Sequence, residues 1–288
     1  MSNSSVIAGS RPRPHAEETQ LAAWARDEHA RRVAARRRQR LLVWALRIGL
    51  LAFGLLVWQL ISLASPSSAI TISSPSAVFN YLEEQVPTAG YWENIGITVE
   101  EAAIGFVLSG VAAVAFAFVL SASKLITDVV NPVLNFLNSL PRIAFAPLFI
   151  AWFGLGQLPQ LVLVFTLCFF VVLNGALVGL ATVDPDLKIL SEQLGVNHRS
   201  FFIKVRWPNA VPSIFGSLRL SLIYAFLAAV TGEMLTGNAG AGAAIATQSG
   251  LLQMNAVFGI LFTLGVVVSV AVELLRTVEL RLCRWQGS

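Results

Sequence analysis

Six stretches of this chain are apolar over about the twenty residues that a helix needs to cross the hydrocarbon core of a bilayer. They run from Leu41 to Leu63, Ile97 to Leu120, Val129 to Trp152, Leu158 to Ala181, Ser213 to Met234 and Ala256 to Leu275. Hydrocarbon offers no water to backbone N–H and C=O groups, so each stretch must satisfy them internally, as a helix does. The fold class that follows is all-α integral membrane with six transmembrane helices. Composition agrees: 56% of the 288 residues are hydrophobic and 12% charged, with mean hydropathy +0.70. A soluble domain of this length carries about twice that charged fraction.

The basic residues orient the spans. All 20 Lys and Arg fall in the N-terminal tail, the short loop with Lys124, a polar island at 182–209, the C-terminal tail, or the spans themselves at Arg47, Arg142 and Arg219. None lies in 64–96, 153–157 or 235–255, the alternate loops. By the positive-inside rule both termini and the island are cytosolic. The expected organisation is a basic tail over 1–40, a first span over 41–63, an external segment over 64–96, and a core over 97–285 that includes the island. The tail carries Arg-Pro-Arg-Pro at 11–14 and the run Arg36-Arg37-Arg38-Gln39-Arg40. Because that run abuts the first span, it reads as a membrane-surface anchor and not as a nucleic-acid contact. The tail is too long and basic, and lacks an A-x-A-like site, to be a cleaved signal peptide. Arg47 lies close enough to the start of its span to snorkel to the interface.

Within the spans, residue types set packing. The second is dense in small residues, with Gly105, Ser109, Gly110, Ala112, Ala113, Ala115 and Ala117, so it packs closely against other helices. Pro132, Pro141 and Pro147 should bend or break the third. In the external segment Ser76 is a candidate cap for a short helix ending at Gln85, and Tyr91-Trp92 suits an interfacial belt. Cys168 and Cys283 have no spacing that suggests a disulfide framework or a metal site, and read as packing residues.

The island from Thr182 to Pro212 is TVDPDLKILSEQLGVNHRSFFIKVRWPNAVP. Asp184 before Pro185 and Asp186 is a helix start; Leu187, Leu190 and Leu194 then share a face, and Gly195 is a stop. Asn197 is placed to cap a second short helix, with Phe201, Phe202 and Val205 apolar among Arg199, Lys204 and Arg206, ending at Pro208. A bent pair of amphipathic helices with apolar knobs in a charged rim suits docking into a groove on another protein.

Gly195, nine further residues and Val205-Arg206-Trp207-Pro208 resemble the cytosolic loop of bacterial ABC-importer permeases, which reads EAA, three residues, Gly, nine residues, I-x-L-P. Here Ile189-Leu190-Ser191 stands for Glu-Ala-Ala and Trp207 for its leucine. A narrower resemblance lies in the third span. Leu140-Pro141-Arg142-Ile143-Ala144-Phe145-Ala146-Pro147-Leu148-Phe149-Ile150-Ala151-Trp152-Phe153-Gly154-Leu155-Gly156 is similar to the P-x-x-A-x-x-P-L-x-x-x-W-F-G-x-G segment of permeases importing nitrate, sulfonates, taurine or pyrimidine-type vitamin precursors. Ser74-Pro75-Ser76, Gly105-Phe106, Val183-Asp184-Pro185-Asp186-Leu187 and Glu233-Met234-Leu235 match too, while Glu101 stands where that subgroup more often has arginine.

The resemblance implies a type I ABC-importer permease fold with a cytosolic coupling helix. It implies a second permease copy, two ATP-binding subunits that handle ATP-Mg, and an extracytoplasmic solute-binding protein. Leu190, Leu194, Gly195, Phe201, Phe202, Val205 and Pro208 are the expected coupling residues, working by alternating access. The chain has no G-x-x-x-x-G-K-[ST] loop, so ATP is expected in another chain and no cofactor in this one. The Thr236–Gly242 run, lacking a following Lys-Ser/Thr, reads as a flexible external loop at which the binding protein could dock.

Charges at membrane depth default to function. Glu100, Glu233 and Glu273 lie near span ends, where snorkelling accounts for them. Arg142 beside Pro141 is the candidate for the translocation path, either attracting anionic solutes or holding a helix through Glu101. His198 reads as a solvated loop residue, and nothing resembles a triad or a zinc cluster, so no reaction is assigned. An ion-gradient transporter would show inverted repeats, and a lipid-modifying enzyme clustered His, Asp or Glu; neither pattern is found.

Overall fold

The computed structural model describes residues 14–64, 71–121, 123–183 and 185–283. The Arg-Pro-Arg segment at 11–13, the Asp184 cap and the side chain of His198 lie outside the described residues. The chain divides into two units, Met1–Ile61 and Ser62–Ser288.

Helix α1 (Pro14–Ala64) supplies the first unit. Its apolar part, Arg38–Ala64, has the length of a membrane span, and its side chains are mostly exposed, as those of a lipid-facing helix are. The helix begins at Pro14, within the basic tail, and runs unbroken into the span. The reason is local: residues 15–48 contain no Gly or Pro and are rich in Ala, Arg and Glu, all strong helix formers.

The second unit begins with α2 (Pro75–Gln85), α3 (Ala89–Ser121) and α4 (Lys124–Ser139). A 3-10 turn (Arg142–Phe145) leads into α5 (Ala146–Phe153), followed by α6 (Gln157–Ala181). Next come α7 (Pro185–Gln193), α8 (His198–Phe201), a π-helical turn (Phe202–Arg206) and α9 (Trp207–Thr236). The order closes with α10 (Ala241–Gly250) and α11 (Met254–Leu282). Among the described residues, five helices are long and apolar enough to cross a membrane. The crossings number six with Leu125–Ser139 and Arg142–Phe153 counted as one broken span, bent by 76°. The break falls at Leu140-Pro141, where proline cannot donate and holds its predecessor in an extended conformation.

Two local expectations shift. Ser74, not Ser76, caps α2: its Oγ accepts from the Ala77 N–H at 3.2 Å, because Pro75 is preorganised for the first helical position. Tyr91 is no interfacial residue; it is buried, with its hydroxyl 2.6 Å from Thr263 Oγ1. Trp92 remains partly exposed and its indole N–H donates to the Val86 carbonyl.

The unit is built on α3, α6 and α9. Lipid tails give helices no hydrophobic reason to associate, so van der Waals contact at short backbone separation does the work. On α3 the buried face is Ala102, Gly105, Ser109, Ala113, Ala117 and Leu120, spaced at three and four residues. Between α6 and α9, Gly179 lies so close to Ala210 and Ser213 that an added Cβ would sit 3.0 Å from the Ala210 Cα and 2.8 Å from the Ser213 Cβ. Gly175 faces Ser217 in the same way, and Ser213 Oγ donates to the Gly175 carbonyl at 2.9 Å. Cys168 is a packing residue, buried, with its thiol donating to the Ser221 carbonyl at 3.3 Å. At one end α2, α3, α10 and α11 enclose a smaller apolar cluster around Tyr91, Ile95, Ala241, Ile245, Ile260 and Leu264.

Valine at Gly175 or Gly179 should therefore force α6 and α9 apart at a cost of about 1–3 kcal/mol. The same change at Gly54, which has nothing within 4 Å, should be silent. Thermal unfolding of the detergent-solubilised chain measures the contrast.

Candidate functional site

The loop between α6 and α9 forms the first candidate feature. Gly195, at φ +64, takes the left-handed conformation that ends α7, as the sequence requires. Leu187, Leu190 and Leu194 are all exposed, Leu194 at 70%. Ile203 is exposed as well, a residue the sequence reading did not single out. Phe201 and Val205 are half-buried, and Phe202 turns toward the membrane helices, packing edge-on against Phe118 at 5.3 Å. Phe202 thus anchors the loop.

Pro208 does not end a helix here. The backbone passes from α8 through the π-helical turn, where the Trp207 N–H reaches back to the Phe202 carbonyl, and Pro208 occupies the first turn of α9. A widened turn leaves no four-residue bond for the proline to break. Arg206 Nε donates to the Leu180 carbonyl at 3.3 Å and Asn209 Nδ2 donates to the Thr182 carbonyl. Both tie the root of α9 to the end of α6.

The second feature is a cavity of about 340 Å³ lined by Asn138, Leu140, Pro141, Arg142, Ile143, Leu167, Val171 and Tyr224. Pro141 and Arg142 meet on it, at the break of the third span. The Arg142 guanidinium lies 4.3 Å from the centre of the Phe170 ring, and its Nη2 donates to the Asn138 carbonyl at 3.1 Å and to Asn138 Oδ1. Its Nε has no hydrogen-bond partner. A planar cation stacked on an aromatic face with a donor to spare is suited to an anion or a polar planar group. The Arg142–Glu101 pairing considered from sequence is not formed: Arg142 is satisfied by Asn138 and Phe170, and Glu101 is not among the cavity's lining residues.

Glu101 belongs instead to a third feature. Its side chain is 3% exposed and lies near Glu233, which is 0% exposed and is bonded to Thr98, one turn before Glu101 on the same face of α3. Snorkelling was the expectation for Glu233, and burial overturns it. Glu233 Oε2 accepts from the Gly242 N–H at 2.6 Å and from the Thr98 hydroxyl at 2.9 Å. Thr98 Oγ1 in turn accepts from the Ala241 N–H at 2.9 Å. The carboxyl therefore sits at the N-terminus of α10, where the helix dipole and unsatisfied N–H groups favour negative charge.

The glycine run was expected to be a flexible loop, and from Gly240 onward it is packed. Gly240–Ala243 are buried, and Gly240, at φ +97, lies against the Glu233 carboxyl with no room for a Cβ. Of the other charges, Glu100 and Glu273 are exposed, as snorkelling side chains would be, and Glu273 pairs with Arg276 at 3.4 Å. Arg219 of α9 forms an ion pair with Glu279 of α11.

Thr98, Asn138, Tyr224 and the 240–242 backbone were missed from sequence. Thr98 and Glu101 do share a helical face at i, i+3, the signal that was available. No group of three or more His, Cys, Asp or Glu that could hold a metal occurs among the described residues.

A polytopic helical bundle with a broken span, a cationic cavity at the break and an exposed apolar loop has the parts of a membrane transport component. Residues 105–278 match the family described as binding-protein-dependent transport system inner membrane component, and the chain belongs to it as an ABC-importer permease. Over 232 residues it is 28% identical to the putative aliphatic sulfonates transport permease protein SsuC of Bacillus subtilis, covering 81% of this chain and 84% of that one. It is 29% identical to the riboflavin transport system permease protein RibX of Chloroflexus aurantiacus, covering 81% and 87%. To the taurine transport system permease protein TauC of Escherichia coli it is 22% identical, covering 84% and 90%. Among solved structures, an inward-facing MetNI methionine ABC transporter superposes with a TM-score of 0.51 at 20% identity, over 69% of this chain and 95% of that one. That likeness concerns the fold.

Alanine at Gly154, also at positive φ but with open space around it, should cost about 1–3 kcal/mol for backbone conformation alone. Alanine at Gly240 should cost more, because it also displaces Glu233. Melting temperatures of the two variants in detergent give the difference.

Proposed function

We propose that this permease works as one of two copies with two ATP-binding subunits on the cytosolic side and a solute-binding protein outside, in the bacterial plasma membrane. ATP-Mg binds and is hydrolysed in the partner subunits. Both termini and the 182–209 loop face the cytosol, in keeping with the distribution of Lys and Arg. The observation that carries the reading is the exposed apolar set Leu187, Leu190, Leu194 and Ile203, on a loop rooted in α6 and α9 through Arg206 and Asn209. Apolar side chains exposed together on a polar loop suit a groove in a partner. Leu190, Leu194, Gly195, Phe201 and Val205 form or support that contact, while Phe202 and Pro208 fix its root.

Closure of the ATPase pair draws the two loops together and tilts α9, opening the path outward; release reverses the tilt. The solute is a small anion of the sulfonate, taurine or nitrate kind, or a pyrimidine-type vitamin precursor. The cavity around Arg142 is its way station, where the guanidinium meets an oxyanion through paired N–H groups. Relatives named for sulfonates and taurine support an anion.

Aspartate at Leu190 or Leu194 should abolish ATP-driven uptake and co-purification with the ATPase while leaving insertion unchanged, since both side chains are exposed. Full-rate uptake by either variant overturns the coupling assignment. Uptake that follows an ion gradient and ignores ATP would favour the rival secondary transporter. Arg142→Gln should raise the KM for anionic solutes by about tenfold or more, the loss of a charge-assisted pair.

A further inference from the structure

We infer that Glu101 and Glu233 share one proton, and that the resulting acid–carboxylate hydrogen bond is the positioning contact that fastens α3 and α10 to the end of α9 remote from the coupling loop. The two residues are 132 positions apart in sequence, yet both are buried, and the Glu233 carboxyl is bonded to Thr98, one turn before Glu101 on the same face of α3. Buried carboxylates this close repel too strongly for both to be ionised. Each also keeps one buried oxygen, Glu101 Oε2 and Glu233 Oε1, with no hydrogen-bond partner. A proton between the groups turns the repulsion into a bond.

The surroundings say which member is the carboxylate. Glu233 accepts from the Gly242 N–H and the Thr98 hydroxyl, and Thr98 is itself oriented by the Ala241 N–H. Donors of this kind stabilise an anion at Glu233 and leave the acid form to Glu101. The charged neighbour from α3 is Glu100, of the same sign. Helix α6 contributes Gln160, whose amide donates to Thr236 Oγ1, and has no Asp, Glu, Lys, Arg or His; α10 likewise has none. None of α3, α6 and α10 carries a basic side chain to replace the proton.

The position gives the bond its consequence. From Trp207 to Glu233 α9 runs unbroken for roughly 40 Å, so movement at the loop arrives where the pair clamps its neighbours. The transport consequence rests on the permease reading above; the proton itself does not.

Infrared spectra of the full chain in lipid nanodiscs test the proton directly. The wild type should show the carbonyl band of a buried carboxylic acid, bleached in alkaline buffer, and E101Q should lack it. In the assembled transporter, wild-type uptake should fall by about tenfold as the medium is made alkaline, the loss of one charge-assisted hydrogen bond. In E101Q, whose amide still donates but cannot ionise, the alkaline-to-neutral uptake ratio should approach one. A wild type without the band, or with a band that E101Q retains, overturns the inference. So does an E101Q transporter that keeps the alkaline fall, or a site that fills with sodium or calcium in place of the proton. If E101Q inserts poorly, the alkaline bleaching of the wild-type band decides. A wild type that shows the band but no ATP-driven uptake would sink the functional reading and leave the shared proton standing.

Discussion

Close backbone approach between α6 and α9 is the contact on which the rest of this molecule depends. Inside a bilayer, apolar side chains gain nothing by leaving lipid for protein, so two helices stay together only where their surfaces meet at short range and at many points. Gly175 and Gly179 provide such a surface against Ala210, Ser213 and Ser217, and Gly105 does the same for α3 against Val164. With those three helices fixed, α5 packs Ala146 and Phe149 into their midst, and α10 and α11 close the far end. The cavity, the loop root and the carboxyl pair all lie along this frame.

Much of that plan was legible because bilayer physics speaks through composition. Spans announce themselves by length, and the break at Leu140-Pro141 by a ring that blocks a helical bond. Small residues on α3 signalled close packing, and the same logic applied to Gly175, Gly179, Ser213 and Ser217 would have named the α6–α9 contact. What stayed hidden was anything that depends on which distant residues meet. Glu233 near a span end looks like a side chain reaching for water; only the fold of 236–242 over it, with Gly240 at φ +97, makes it the most enclosed charge-bearing group described. The inward turn of Phe202 stayed hidden for a related reason. Neighbouring apolar residues on a short helix look alike in sequence, and the π-helical turn rotates one of them onto Phe118 while Ile203 faces out.

The three features divide between backbone and side-chain control. Arg142 is held by a stacked ring and by a neighbour four residues earlier, so its setting is local to the break in the third span. Glu101 and Glu233 depend on three separate elements, α3, α9 and α10, and any of them that shifts disturbs the pair. The loop between α6 and α9 is fixed at its root by Arg206 and Asn209 and exposed along its leucine face.

The continuity of α9 sets it apart from its neighbour. The third span is interrupted between Ser139 and Arg142, whereas α9 holds its course past Pro212 to Thr236. One is a compliant strut and the other a stiff shaft, laid against the same cavity: Tyr224 from the shaft and Arg142 from the strut both line it. Any tilt of the shaft against the strut changes the opening between them, because each supplies one of its walls.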